Sequence, residues 1–287
     1  MARLTPYNPV FDLELRRLFR RRRTYVFLGI YLTILGLGTW LAYVVLHGLH
    51  RLPELGFIPT GKVMFAAIFL LQLGWFSVFV PGLAAGSIAG ERERQTLDLL
   101  LATPLTPARI VAGKFAAGFG LAVLLLLAAL PLLSLSFLMG AVAVEEVLVA
   151  TAMLMALIVA LRGVGLYASA LVRSALTATL LANSLVFLGL VIVPGIIGVP
   201  LTLFGLSTGL SEPWAGMLII IVAGLHPLPA AVLTEAAWLS GLSLWWPEWP
   251  VGNLRVGTPG PWLVFCLTYS FVGLGCLWAA ARRCRPG

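Results

Sequence analysis

Residues 63–85 read VMFAAIFLLQLGWFSVFVPGLAA, a run without a charged side chain. A helix needs about 20 apolar residues to cross the hydrocarbon layer of a bilayer, so this run is long enough to span it. Five more apolar runs of spanning length surround it: Thr24–Leu46, Phe115–Met139, Val147–Leu171, Leu176–Ile197 and Trp262–Ala281. All are too long for strands, and a spanning segment satisfies its own backbone hydrogen bonds only as a helix. The composition agrees. Of 287 residues, 60% are hydrophobic and 10% charged, whereas soluble domains carry roughly 45–50% apolar and about 25% charged residues. Lipid must be the solvent for much of this surface. The expected fold is an all-α polytopic membrane protein with six transmembrane helices in one domain over residues 1–287.

The net charge is +8, and of the 19 basic residues only Lys62 and Lys114 are lysines. The arginines gather at the ends of apolar runs, which fits topology signals and anionic headgroups and argues against nucleic-acid binding. One set of flanks holds Arg16, Arg17, Arg20–Arg23, Arg92, Arg94, Arg109, Lys114, Arg173, Arg282, Arg283 and Arg285. The opposite set holds only Arg51, Lys62 and Arg255 among several glutamates. The positive-inside bias makes the first set cytoplasmic, with both termini inside. The segment 214–233 is apolar but broken by His226, Pro227 and Pro229. A seventh full span would carry Arg282, Arg283 and Arg285 outside, so parity favours an outer re-entrant helix pair at about 205–245 over a crossing. Trp238, Trp245, Trp246, Trp249 and Trp262 suit an outer aromatic belt. The first apolar run is too long for a signal-peptide core and reads as a retained span. Cys266, Cys276 and Cys284 form neither a disulfide framework nor a zinc pattern.

On the cytoplasmic side, residues 8–23 predict an interfacial helix. Asn8 and Pro9 suit its start, Asp12 and Glu14 its positive end, and the arginines its negative end. Phe11, Leu15, Leu18 and Phe19 recur on one face, so the helix lies in the membrane interface. After the second span comes Gly90-Glu-Arg-Glu-Arg-Gln-Thr-Leu-Asp-Leu-Leu-Leu-Ala-Thr-Pro104, dense in charge. Leu97, Leu100 and Leu101 share one helical face, which predicts a short amphipathic helix over 91–103. Pro104 ends it, and Thr106-Pro107 opens the next helix.

The stretch Glu91–Pro104, followed by Gly113-Lys114, resembles the coupling region of type-2 ATP-binding-cassette (ABC) exporter permeases. Asn8-Pro9 through Arg23 is similar to that family's N-terminal interfacial helix. The resemblance implies a permease dimer, of two copies or of similar chains, in a prokaryotic inner membrane. It also implies two cytoplasmic ATPase subunits that bind ATP and Mg, with no cofactor on this chain. Glu91, Arg92, Glu93, Arg94, Thr96, Leu97, Leu100 and Leu101 would then meet the ATPase. The first outer loop is shorter than in relatives that carry a large outer domain.

Other constellations are weaker. Gly56–Lys62 approaches a P-loop, but Val63 stands where the magnesium-binding hydroxyl belongs, so ATP hydrolysis is expected on a separate chain. His47 and His50 lack a third metal ligand. Glu145-Glu146 reads as a solvated outer turn. No catalytic set converges, so the chain is not expected to be an enzyme. Arg162, inside the fourth span, reads either as a contact in a transport pathway or as a structural pair. Gly82, Gly86 and Gly90, four residues apart, permit close helix packing. The cargo is not legible. The rival reading is a secondary transporter or channel that needs no ATPase.

Overall fold

The computed structural model describes residues 9–20, 22–49, 59–96, 105–194, 196–198, 200, 203, 213–251 and 254–284. In chain order these form α1 (Pro9–Arg20), α2 (Arg22–Leu49), α3 (Thr60–Glu93), α4 (Pro107–Ala128), α5 (Leu130–Leu138), α6 (Val144–Leu171) and α7 (Ala175–Phe187). There follow α8 (Pro213–Gly224), α9 (Pro227–Leu239), β1 (Glu248–Val251), β2 (Leu254–Gly257) and α10 (Pro261–Arg283). Among the described residues, six helical segments are long and apolar enough to cross a membrane: Thr24–Gly48, Thr60–Glu93, Pro107–Leu138, Val144–Leu171, Ala175–Gly198 and Pro261–Arg283. The six expected spans are all there, several with longer ends.

One of those ends has a clear cause. The third span begins at Pro107 because the Thr106 hydroxyl accepts from the Arg109 N–H at 3.4 Å, an N-cap with proline in the first turn. The same span is not the continuous helix expected over 115–139. It breaks at Ala129, two residues before Pro131, and resumes as α5. A proline ring has no N–H to donate and clashes with the preceding turn.

The fourth span, α6, is the centre of the bundle. Of its apolar window 56% is buried within the chain, against 6% for Ala175–Gly198, so α6 packs on protein where the fifth span faces outward. Glycines set how closely its neighbours approach. A Cβ on Gly165 would lie 2.5 Å from the Pro81 carbonyl oxygen of α3. On the other side, Gly163 lies against the backbone of Gly273 in α10, and a Cβ on Gly273 would come within 2.6 Å of the Val159 carbonyl oxygen. Ser169 of α6 also reaches into the backbone of α3. Its hydroxyl donates to the Ala85 carbonyl and accepts from the N–H groups of Ile88 at 3.0 Å and Ala89 at 2.8 Å. The first span is held by aromatic rings, with Phe27 and Tyr31 of α2 packed 5.0 and 5.4 Å from Trp75 of α3.

The segment before the last span is a helix pair, Gly216–Gly224 and Pro227–Leu239, bent by 119°. The turn falls at His226. Its Nδ1 accepts from the Leu228 N–H at 3.3 Å, which leaves Nε2 as the donor to the Leu190 carbonyl at 2.8 Å. Leu190 lies in a π-helical turn, Leu188–Ile192, of the fifth span. Beyond the pair, β1 and β2 form a two-stranded antiparallel hairpin in which Trp249 faces Val256. Trp249 Nε1 donates to Thr258 Oγ1 at 3.1 Å, and Trp262 Nε1 to the Leu244 carbonyl at 2.9 Å. The helix-only expectation did not contain this hairpin.

Replacing Gly165 with alanine should push α3 off α6 and cost about 1–3 kcal/mol, as overpacking does. A matched Gly29→Ala change, at a position with nothing within 4 Å, should leave thermal stability in detergent unchanged or raised. Equal melting temperatures for the two variants would contradict the close α3–α6 contact.

Candidate functional site

The basic side chains meet at one end of the bundle, where α3 stops. The helix does not begin afresh at Glu91, as the expected helix over 91–103 required. It runs on from the second span to Glu93. It then closes in a tight turn, with the Gln95 N–H bonded to the Arg92 carbonyl at 3.1 Å and the Thr96 N–H to the Glu91 carbonyl at 2.9 Å. Gln95 takes φ 58°, the left-handed conformation that lets a chain leave a helix end sharply. Residues 97–104, with Leu97, Leu100 and Leu101, lie outside the described residues.

The helix continues past its apolar run because three successive charged side chains each find a partner on a different neighbour. Glu91 Oε1 accepts from Lys114 Nζ of α4 at 2.7 Å. Arg92 Nη1 donates to the Val172 carbonyl at 3.0 Å and the Ala170 carbonyl at 3.4 Å, at the negative end of α6. Glu93 Oε2 accepts from the Ala175 N–H at 3.0 Å, at the positive end of α7. Glu91 and Arg92, half-buried, and Glu93, exposed, therefore all tie the helix end to the rest of the chain. Arg94, Gln95 and Thr96 are exposed, although the Thr96 hydroxyl turns back to the Glu91 carbonyl at 3.2 Å.

Lys114 is the junction. Its side chain is only 2% exposed, and Nζ also donates to Glu14 Oε1 of α1 at 3.0 Å. One ammonium thus joins the N-terminal helix, the end of the second span and the start of the third. Lysine suits this position because a compact ammonium can aim its three donors at separate carboxylates, whereas a planar guanidinium prefers to grip one. Glu91 Oε2 is buried without a hydrogen-bond partner among the described residues, so Lys114 carries much of the electrostatic load here. Val10 of α1 is buried, and Leu15 approaches α4 at Gly120. The N-terminal helix accordingly packs its apolar face on the third span. The side chains of Leu18 and Phe19 lie outside the described residues.

Arg162 stands directly behind this junction. It is 5% exposed. Nη2 donates to the Lys114 carbonyl at 2.8 Å and Nε to the Phe115 carbonyl at 3.1 Å. Its guanidinium fills the space that a Cβ on Gly118 would take. These contacts tie α6 to the backbone of α4. The glycine row divides too: Gly82 faces Thr179 and Asn183 of α7, Gly90 approaches Ala175, and Gly86 has open space beside it.

A family model described as ABC-2 family transporter protein matches residues 9–213, from α1 to the start of α8. The chain belongs to the ABC-2 transporter family. It is the membrane permease component of an ABC transporter, a family whose permeases work with an ATP-binding subunit. No curated protein matches the chain. The ABC-2 match covers every element that meets at Lys114 and stops before the bent helix pair, the hairpin and α10.

Lys114 entered the sequence reading only as part of the coupling-region motif and Glu14 only as an acidic residue near the start of α1, and nothing there paired them. The signal was present in hindsight: the chain has only two lysines, and both hold two glutamates. The second is Lys62 at the far end, which binds Glu146 at 2.6 Å and also Glu235. Glu146 is therefore buried and ion-paired rather than solvated as expected, and only its neighbour Glu145 is exposed.

Lys114→Ala should destabilise the protein by about 3 kcal/mol or more, since removing one partner strands buried carboxylate charge. Lys114→Arg should recover only part of that loss. Thermal unfolding in detergent measures both, and full recovery by arginine would contradict the branched geometry.

Proposed function

We propose that the chain is the permease subunit of an ATP-driven exporter. ATP and Mg bind a separate pair of cytoplasmic ATPase subunits, and their closure is carried into the membrane through the segment that follows α3. The observation that supports this best is the triple tie at Glu91, Arg92 and Glu93. The exposed turn Arg94–Thr96 emerges from a root fastened at once to α4, α6 and α7. Force applied to that segment moves several spans together instead of bending one helix. Arg94, Thr96, Leu97, Leu100 and Leu101 are the proposed contacts with the ATPase. Glu91, Arg92 and Glu93 transmit its motion.

The basic end is the cytoplasmic end in this reading, because it gathers the arginines that the positive-inside bias keeps inside. Both termini are then cytoplasmic, and the bent pair α8–α9 is an outer re-entrant element of a prokaryotic inner-membrane protein. A second permease copy, identical or similar, completes the transport path. Gly82 and Gly90 give α3 and α7 a smooth contact along which the spans can shift.

Two measurements test this. Leu97→Glu with Leu100→Glu should lower co-purification of the ATPase by about tenfold or more, because burying charge in an apolar contact is costly. Undiminished complex formation would remove the coupling assignment. With Cys266, Cys276 and Cys284 replaced by serine, Arg94→Cys should react with a membrane-impermeant thiol reagent only after the cells are opened. Labelling of intact cells would invert the topology and end the proposal.

A further inference from the structure

A cavity of about 730 Å3 lies at the far end of the bundle, between α3, α6 and α9. This is in the usual range of small-molecule sites, roughly 300–1,000 Å3. Its walls include Phe65 and Phe69 of α3, Met153 of α6, and Val232 and Trp238 of α9. These are large apolar side chains of the kind that encloses an alkyl or aromatic body.

The charge in this cavity is concentrated in the Lys62, Glu146 and Glu235 cluster. Lys62 Nζ donates to Glu146 Oε2 and to Glu235 Oε1. Glu146 uses its other oxygen to accept from the Ala143 N–H at 3.3 Å. Glu146 is thus fixed through both oxygens, whereas Glu235 is the more exposed carboxylate, its side chain being 34% exposed, and its second oxygen takes no hydrogen bond among the described residues. One ammonium set against two carboxylates leaves a formal charge of −1 beside apolar walls. An anionic headgroup would add to that imbalance, and a neutral one would leave it. A protonated amine would cancel it and donate to the second oxygen of Glu235.

We infer that this cavity binds an amphiphile with an apolar body and a single protonated amine, its head at Glu235 and its body against Phe69, Met153 and Val232. Resting on the permease reading above, this makes cationic amphiphiles the cargo class. The head then sits at the outer end of the bundle and the body lies along the spans, the orientation of a molecule held in the outer leaflet.

The test uses the full chain in phosphatidylcholine nanodiscs, with diazirine-bearing dodecylamine, dodecanol and dodecyl sulfate as matched probes. After photolysis, labelled peptides are mapped and quantified. The peptides around Phe65–Phe69 and Val232–Trp238 should take up the amine about tenfold more than the alcohol, the effect of one charge-assisted hydrogen bond. The sulfate should label them least. Glu235→Gln should abolish the amine's advantage, because the cluster then carries no net charge. Glu235→Asp, which keeps the charge, should preserve it at least in part. Equal labelling by all three probes would mean a cleft filled by any lipid chain and would overturn the inference. So would an amine preference that survives Glu235→Gln. Neither ATP nor the ATPase enters this assay, so its failure leaves the co-purification result, and the permease reading, standing.

Discussion

A buried ammonium must be surrounded by acceptors, and at Lys114 this requirement organises one whole end of the protein. Desolvating the charge would be prohibitive unless carboxylates reached it. Two do, from α1 and α3, and the lysine itself comes from α4. The carbonyl of the same residue takes a bond from Arg162 of α6. Four helices are thereby fixed by demands that converge on one residue. The exposed turn at Arg94–Thr96 inherits its position from them.

Packing at the middle of the bundle complements this. Gly163, Gly165 and Gly273 let α6 meet α3 and α10 backbone to backbone. In lipid, such close approach supplies the van der Waals contact that a hydrophobic driving force cannot. The Ser169 hydroxyl adds a polar link between α6 and α3 in the same region. The central span is therefore held to α3 by shape and hydrogen bonds along its length and by Arg92 at its end. The basic end is thereby joined to a stiff central body.

The spans were legible because hydrocarbon thickness imposes a length on any crossing helix, and six apolar runs meet it. Thr106-Pro107 announced the start of α4 by local chemistry alone. What escaped the reading was mostly long-range. Lys114 and Glu14 are 100 residues apart, Lys62 and Glu235 are 173 apart, and no local periodicity joins such partners. Glu146 looked like half of an exposed acidic pair because its lysine stands 84 residues earlier. The extension of α3 to Glu93 was hidden for the same reason: its charged last turn looks detached until the partners on α4, α6 and α7 are in place. The break at Ala129 is different. Pro131 was visible, and the length of the apolar run obscured it.

The far-end cluster also has a history in biosynthesis. Lys62 leaves the ribosome at the head of the second span, long before either of its glutamates. Its charge has to stay hydrated at the bilayer surface until α6 delivers Glu146, and the cluster closes only when α9 returns with Glu235. Nascent chains halted before that point have neither the complete cluster nor the wall that α9 contributes. The cavity is thus among the last features to mature, and a chain that has formed it has already threaded its first five spans.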